Sequence, residues 1–557
     1  MNPFTREACD IGGGGGPRTS CRSTITDSFI PAIIYTFSIV LLTFPACLHW
    51  STDFFCNNGD GLQNEWNLWW IRKAIIDLHQ SPWFTTWLHA PRGTTLIGHT
   101  LNPINGVIGI PLSLLFSPVQ VFNLIVIGSF VFSGVTAFWL ARHIVKQYVP
   151  ALLGGFAFAF TGYRFAHARE HMQLISTEFI PLFLLAWLRI LEKPRAWRAV
   201  AAGVALGLVA LCDFYYLFYC VMAGALCAIC YFPRLRRIAR RSHRTPWRVP
   251  LQFGLFTGVA TICCAPLVIP LLIQSVRDPF VAAHHSVDYS SDAFSVFLPG
   301  SANMLGRFTE HYWGRLHQTT SEECVYVGLS VLALAIYGIL KYRGPRRVVS
   351  YWRALAFWSY LLSLGPVLHV YGVEETRPMM PYAWLEQLLP PLKLSGCPDR
   401  ISIMFALAMS MLMSLGIREI LQRHQRAAAA VVCVFAIIMA IDLSPTGLAT
   451  IRVPPAHWAT VLRDLPEPGS VIAKVDGPGS ALYYQTLFDR PMAYGYISRV
   501  PQRVDASDRQ IAALVQAGDF AALRKMGFVY LVLPADGRVD GLPKVYADDQ
   551  VNILQIQ

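Results

Sequence analysis

Charge is the scarcest property of this sequence. Aspartate and glutamate together number 34 among 557 residues, and all charged residues make up 14%. A soluble chain of this length carries far more charge on its surface, so a soluble globular protein is excluded. Internal repeats are also missing, and with them the paired broken helices on which many transporters are built. The 13 cysteines are scattered, several of them inside apolar runs, so they form no disulfide framework. Cys227 and Cys230 have redox spacing but sit in an apolar helix, where small packing residues are the plainer reading. Cys56, Cys324 and Cys397 fall on one expected side of the membrane, which leaves a single bridge among them open. No apolar run begins near enough to Met1 to serve as a cleavable signal.

What is present is apolar sequence, 54% of the chain, in many runs close to the roughly 20 residues that cross a bilayer. The expected fold is mostly α: a polytopic transmembrane helical bundle with a small C-terminal extracytoplasmic α/β domain. Residues 1–28, with Gly12 to Gly16, read as a flexible cytoplasmic tail. Residues 29–445 form the transmembrane domain, with about eleven spans, near 29–50, 119–141, 148–162, 173–191, 197–212, 214–232, 250–273, 325–341, 353–371, 400–418 and 428–444. The apolar stretch Asn102 to Pro118 is short and twice broken by proline, so it reads as interfacial or re-entrant. With it left out, Arg142, Lys146, Lys193, Arg195, Arg198, the arginines of 234–248 and Lys341 to Arg347 all fall on one side. Cationic loops mark the cytoplasmic face, which puts the N-terminus inside and the C-terminus outside. The same loops explain the net charge of +12 without nucleic acid as a partner. Residues 446–557 lose the long apolar runs and show strand-like pieces at 471–475, 528–533 and 551–554, the pattern of a small α/β unit.

Two expected outer loops, 51–118 and 163–172, hold the chemistry. In the first, Asp60 stands between Gly59 and Gly61, ahead of Gln63, Glu65, Trp66, Trp69 and Trp70. A Trp-rich helix suits the lipid headgroup level, and the flanking glycines let backbone and ligand approach Asp60 closely. Asp53 and Glu65 are alternates to it. In the second loop, Tyr163, Arg164, His167, Arg169, Glu170 and His171 form a polar cluster, the two histidines sharing a helical face at i, i+4. Such groups at a membrane edge are costly unless paired or used; a structural cluster with Arg164 and Arg169 paired to Glu170 or lipid phosphate is the plainer alternative. His167 to His171 also matches the inverted zinc-protease pattern, whose further acidic ligand on a supporting helix is missing here. Glu322, Glu323 and Arg400 stand at the ends of other outer loops, with a snorkelling role as the alternative. Asp213 reads as a turn residue between two spans. The aromatics of 482–496 fit a sugar-stacking surface and a protein core equally.

The order of one span, an acidic outer loop, a Trp-bearing helix, a Pro-flanked apolar segment, two spans and a second polar loop resembles the GT-C superfamily of integral-membrane glycosyltransferases, in particular its bacterial YfhO-like branch. Tyr483 to Arg499 and Met526 to Leu533 resemble the C-terminal portion of such proteins. The resemblance implies transfer of a sugar from a polyprenyl-phosphate donor to a lipid, glycan or protein acceptor, with inversion, on the outer face of the bacterial cytoplasmic membrane. It implies Asp60 and Glu170 as catalytic acids, with His167 or His171 assisting; apart from the resemblance, Gln63, Trp66, Tyr163, Arg164, Arg169, Glu322 and Arg400 are the candidate substrate-binding residues. It also implies a divalent metal, Mg or Mn, at His167 and His171 with Asp60, although the Asp-x-Asp pair usual in the family is missing because Gly61 and Leu62 follow Asp60. The chemistry matches these residue types: an acceptor hydroxyl needs a base, and a departing phosphate needs positive charge. The alternative function is a transporter or flippase of a lipid-linked sugar or other amphiphile. Its acids would lie within the spans, whereas these lie at their ends. A catalytically silent scaffold is the third reading.

Overall fold

The structure, a computed structural model, describes residues 21–241, 248–281, 284–315, 322, 325–375, 379–389, 392, 396–423, 428–475 and 478–557. Most of the tail expected at 1–28 lies outside these residues, as do Glu323 and Cys324. Residues 21–28 already belong to the first helix, α1 (Cys21–Leu42). Next come α2 (Asp60–Arg72) and α3 (Pro103–Leu112). At 10 residues α3 is about 15 Å long, half a hydrocarbon core, and it fits the non-spanning reading of that stretch.

The bundle continues with α4 (Pro118–Val145), α5 (Tyr148–Ala159), α6 (Gly162–Ala168), α7 (Met172–Ile175), α8 (Phe179–Glu192), α9 (Ala196–Cys212), α10 (Phe214–Arg241) and α11 (Arg248–Arg277). After a long loop come α12 (Leu329–Lys341), α13 (Arg346–Ser363), α14 (Ser402–Arg423) and α15 (Ala428–Asp442). Local chemistry sets the ends. α4 starts at a Ser117–Gln120 capping box with Pro118 in its first turn, and it stops where Lys146 turns left-handed at φ 60°. Each of the eleven segments read as spans overlaps a helix, but 29–50 is α-helical only to Leu42, 173–191 is broken at 176–178, and 353–371 leaves its helix at Ser363. Among the described residues five are long and apolar enough to cross a membrane: Pro118–Val145, Met172–Glu192, Phe214–Ile238, Val249–Arg277 and Pro398–Arg423. Ala196–Cys212, Leu329–Lys341 and Ala429–Asp442 are apolar but shorter. This is a multi-pass membrane protein.

Within the bundle, α14 is central and α11 peripheral: 94% of the apolar window of one is buried, against 6% for the other. α14 reaches its neighbour through small residues. A Cβ on Gly338 of α12 would lie 2.3 Å from the Leu412 carbonyl oxygen, and one on Gly416 of α14 would lie 2.2 Å from that of Leu334. Glycine lets the two backbones touch.

The C-terminal part holds a four-stranded sheet of β1 (Ser470–Ala473), β2 (Phe528–Pro534), β3 (Lys544–Ala547) and β4 (Val551–Gln555) in the order β1-β2-β4-β3. β1 and β2 are parallel, the other pairs antiparallel. Helices α16 (His457–Asp464), α17 (Pro478–Phe488), α18 (Gln502–Ala517) and α19 (Phe520–Lys525) accompany it. β3 was not visible in the sequence, being a short, largely exposed edge strand. The core of this part is shared with the first loop: Trp66, Trp70, Ile71, Leu88 and Leu101 pack with Trp458, Val471, Leu482, Phe488 and Tyr530. The Trp-rich α2 therefore faces protein, not lipid headgroups. Trp66 is fully buried, stacks on Trp70 at 5.8 Å and donates its indole N–H to Gln485 Oε1 at 2.7 Å.

Candidate active site

Glycine brings the two polar loops together. Gly59, at φ 91°, turns the chain into α2, so that Asp60 is its first residue. A Cβ on Gly61 would fall 2.6 Å from Cys56 Cβ and 3.3 Å from the Arg169 carbonyl oxygen, which shows how closely α2 abuts residues 169–171. The Asn57 amide donates to the Arg169 carbonyl at 2.7 Å, and Asn64 Nδ2 donates to the carbonyls of both Asp60 and Glu170 at 2.7 and 2.8 Å. As a result His171 Nε2 lies 3.5 Å from Asp60 Oδ2. Two segments more than a hundred residues apart meet at one rim, as the sequence reading required.

From Asp60 a line of polar groups runs inward. The Nδ1 atoms of His171 and His167 are 3.4 Å apart, His167 Nε2 is 3.7 Å from Glu322 Oε2, and Glu322 Oε1 accepts from Arg400 Nε at 3.0 Å and from a second guanidinium nitrogen at 2.6 Å. Burial pushes the Asp60 carboxyl up, but the hydrogen bond and charge of His171, with a hydrogen bond from Tyr496, outweigh it and leave the pKa below its usual value. Asp60 is a carboxylate at neutral pH. Burial likewise opposes ionisation of Glu322, yet Arg400 and then His167 hold it well below the usual carboxylate range. Burial, reinforced by His171 and Arg400 against Glu322, keeps His167 far below the usual imidazole value, and therefore neutral.

Asp60, Glu170, His171, Glu322 and Arg400 all line one cavity of about 960 Å³. His99, Gln173, Asp213, Tyr496 and Arg499 line it too. His99 is neutral, pushed down to about 3 by burial. Its Nδ1 accepts from the Ser498 amide at 3.2 Å, so Nε2 carries the proton and donates to Asn67 Oδ1 at 2.8 Å. Gln173 is 1% exposed, and neither its Oε1 nor its Nε2 has a hydrogen-bond partner among the described residues. Asp213 does make a turn, its Oδ1 accepting from the Tyr215 amide at 2.7 Å, but it also faces the cavity. Burial raises its pKa to about 6. Beyond this polar end the wall is apolar, built by Leu217, Phe218 and Val221 of α10 and Val268, Leu271 and Leu272 of α11.

Five residues assigned to substrate from the sequence stand elsewhere. Gln63 donates to the Tyr496 carbonyl at 3.1 Å, behind the wall. Trp66 is core, as above. Tyr163 bonds Tyr216 hydroxyl to hydroxyl at 3.0 Å and packs under the His167 ring at 4.3 Å. Arg164 is fully buried. Its guanidinium donates to the carbonyls of Ala159 and Ile175 and to Ser129, 4.4 Å over the Phe130 ring. Arg169 turns away to the Ser301 carbonyl and the Thr446 hydroxyl, at 3.4 and 3.2 Å. Of the alternates, Asp53 pairs with Arg452 and Glu65 is buried beside the shared core. Leu482 and Phe488 are core, whereas Tyr496 reaches the cavity. Cys56 and Cys397 are buried free thiols, so no bridge joins them, and Cys227 and Cys230 are also free. No group of three His, Cys, Asp or Glu side chains that could hold a metal ion occurs among the described residues. The two imidazoles expected to ligate one are turned to each other and to Glu322 and Asp60.

Arg499 was invisible as a site residue because it comes from the far end of the chain, and Tyr496 is one of the 482–496 aromatics whose sugar-facing and core readings the sequence left level. His99 lies in a stretch with no charged residue between Arg92 and Arg142.

Among solved structures, the arabinofuranosyltransferase AftD from Mycobacteria overlays with a TM-score of 0.54 at 16% identity, over 96% of this chain and 40% of that one. The oligosaccharyltransferase AglB from Archaeoglobus fulgidus gives 0.48 at 12% identity over 92% and 69%, and ArnT from Cupriavidus metallidurans gives 0.40 at 10% over 96% and 98%. At these identities the likeness, carried by the first of them, shows a shared fold alone. None of these matches bears on a YfhO-like branch. No curated protein matches the chain. Residues 32–444 match a family described as a domain of unknown function, and by that match, over most of its length, the chain belongs to the DUF6311 family.

Proposed function

We propose that the protein transfers a sugar from a polyprenyl-phosphate donor to the hydroxyl of a lipid, glycan or protein acceptor at the outer rim of the bacterial cytoplasmic membrane. The observation that carries this reading is the make-up of the 960 Å³ cavity: a carboxylate–imidazole end, two arginines, and an apolar wall on two adjacent helices, one of them peripheral. A long prenyl chain fits the wall of α10 and α11. Arg400 and Arg499 supply charge for the phosphate, Arg400 being already oriented by Glu322. Asp60, ionised and at the opposite side of the polar end, takes the proton of the acceptor hydroxyl. In a single displacement the acceptor oxygen bonds the anomeric carbon and the bond from that carbon to the phosphate oxygen breaks. The electron pair leaves on polyprenyl phosphate, the proton rests on Asp60, and the sugar inverts. His171 orients Asp60, and Gln173 offers an unsatisfied amide to sugar hydroxyls.

The test is transfer by the protein purified into lipid nanodiscs, supplied with a panel of radiolabelled polyprenyl-phosphate sugars and a lipid acceptor extract. Transfer from one donor, reduced at least a hundredfold in Asp60→Asn, is expected. Equal turnover by Asp60→Asn would remove Asp60 from the reaction. Movement of intact donor across the bilayer without transfer would favour a flippase.

A further inference from the structure

A second cavity, of about 520 Å³, lies at the other end of α8 from Gln173, roughly 20 Å along the helix. Its wall joins the C-terminal ends of α4 and α8. Arg142, His143, Lys146 and Arg189 supply the polar side, and Phe138, Trp139, Leu182 and Leu185 the apolar side. Three permanent cations thus converge on one space, and none of them forms an ion pair within 4.0 Å among the described residues. The nearby carboxylate is already engaged: Glu192 Oε2 lies 3.1 Å from His143 Nε2.

Capping does not account for the cluster. Cations are common where helices end, because they meet the last carbonyls. Here several of those carbonyls are taken by other groups. The Lys146 amide takes the Arg142 carbonyl, Arg198 takes those of Arg189 and Lys193, and Arg234 takes that of Glu192. The side chains of Arg142 and Arg189 are left facing the cavity. Three like charges around one open-mouthed space repel one another, and the Glu192 carboxylate, engaged with His143, offsets only part of that charge. The adjoining apolar wall, with Trp139 anchored through its indole N–H to Ser28 at 2.8 Å, is of no use to a small hydrated anion.

We propose that this cavity binds the phosphate headgroup of an anionic phospholipid, with Arg142, Lys146 and Arg189 on the phosphodiester and Phe138, Leu182 and Leu185 against the first carbons of its acyl chains. The site stands at the end of the bundle that the sequence reads as cytoplasmic. Basic pockets between spanning helices at that face hold acidic lipid. It is independent of the transfer reaction.

The test is native mass spectrometry and thermal unfolding of the full chain, delipidated and then offered phosphatidylglycerol, phosphatidylcholine or inorganic phosphate. The expected result is one retained phosphatidylglycerol per chain and a raised unfolding midpoint, with neither effect from phosphatidylcholine or phosphate. Each charge removed weakens retention roughly tenfold. Lys146→Gln, at an exposed position, is expected to fold and show that step alone. Arg142→Gln with Arg189→Gln is expected to abolish it. Equal stabilisation by inorganic phosphate, equal retention of phosphatidylcholine, or unchanged retention in a folded Lys146→Gln would each overturn the proposal.

Discussion

The Nδ1 atoms of His167 and His171 lie 3.4 Å apart. One proton has to sit between them, since two N–H groups would repel and two lone pairs would not bond. In the form with Asp60 ionised and His171 neutral, His171 donates from Nε2, its Nδ1 accepts, and His167 carries its proton on Nδ1. His167 Nε2 then faces Glu322 Oε2 at 3.7 Å. Were His171 to become an imidazolium, His167 would have to change tautomer and donate to Glu322. The base end and the arginine end of the cavity are coupled through that one proton.

This coupling predicts the behaviour of the acidic limb of the rate–pH profile. The limb reports Asp60, whose folded pKa lies below 3.8, so activity is lost only as pH falls through that low value. In His171→Ala, burial acts on Asp60 without its main counterweight. The limb is expected to move up in pH, while the KM for donor stays the same. An unmoved limb in a folded, active His171→Ala would show that His171 does not set the charge of Asp60.

Gln173 gives a prediction with two opposed readouts. A buried amide with no partner destabilises the empty protein, and its replacement by leucine removes that penalty. Gln173→Leu is expected to unfold at a higher temperature, gaining about 1 kcal/mol. The same variant is expected to raise the KM for the donor about tenfold, because the amide's partners are then the sugar's hydroxyls. A destabilised variant with unchanged KM would mean that Gln173 only packs.

The split between what was legible and what was not has a physical basis. Asp60 and the 167–171 cluster stood out because charge is rare in this chain and ionisable groups at a membrane edge need a reason. The helices followed from apolar length alone. Arginine and tryptophan were the misleading residues. Arg164 was read as a phosphate ligand, but three protein oxygens and a phenyl face can hold a guanidinium as a phosphate can, and the sequence does not say which is present. Trp66 and Trp70 look the same in sequence at a lipid surface and in a core; only the C-terminal part, some 400 residues away, decides between them. Tyr496 and Arg499 come to the cavity by the same long-range packing.

The placement of Trp66 can be checked directly. Trp66→Phe keeps the ring but loses the hydrogen bond to Gln485, at a cost of about 1 kcal/mol, and Trp66→Ala opens a core shared by two parts of the chain, at a cost of roughly 3–5 kcal/mol. Thermal unfolding in nanodiscs would measure both. In Trp66→Phe the KM for donor and acceptor is expected to stay as in the native protein. A raised KM with normal stability would return Trp66 to the substrate.

Asp213 allows a stability test that requires no substrate. Its carboxyl is raised from 3.8 to about 6 by burial, against the backbone amides of Tyr215 and Tyr216 and the charge of Arg400. A group with a raised folded pKa favours the folded state while it is protonated in both states, and that contribution is lost as pH rises through the folded value. The native protein is therefore expected to lose stability between about pH 4 and pH 6, up to roughly 3 kcal/mol from this residue. Asp213→Asn, uncharged throughout, should not take part in that loss. The difference in unfolding midpoint between variant and native protein is expected to be small at pH 4 and to favour the variant progressively up to pH 7. Parallel curves across that window would mean that Asp213 ionises normally, and a variant that falls behind at neutral pH would mean that its charge is needed where it stands, beside Arg400 in the cavity wall.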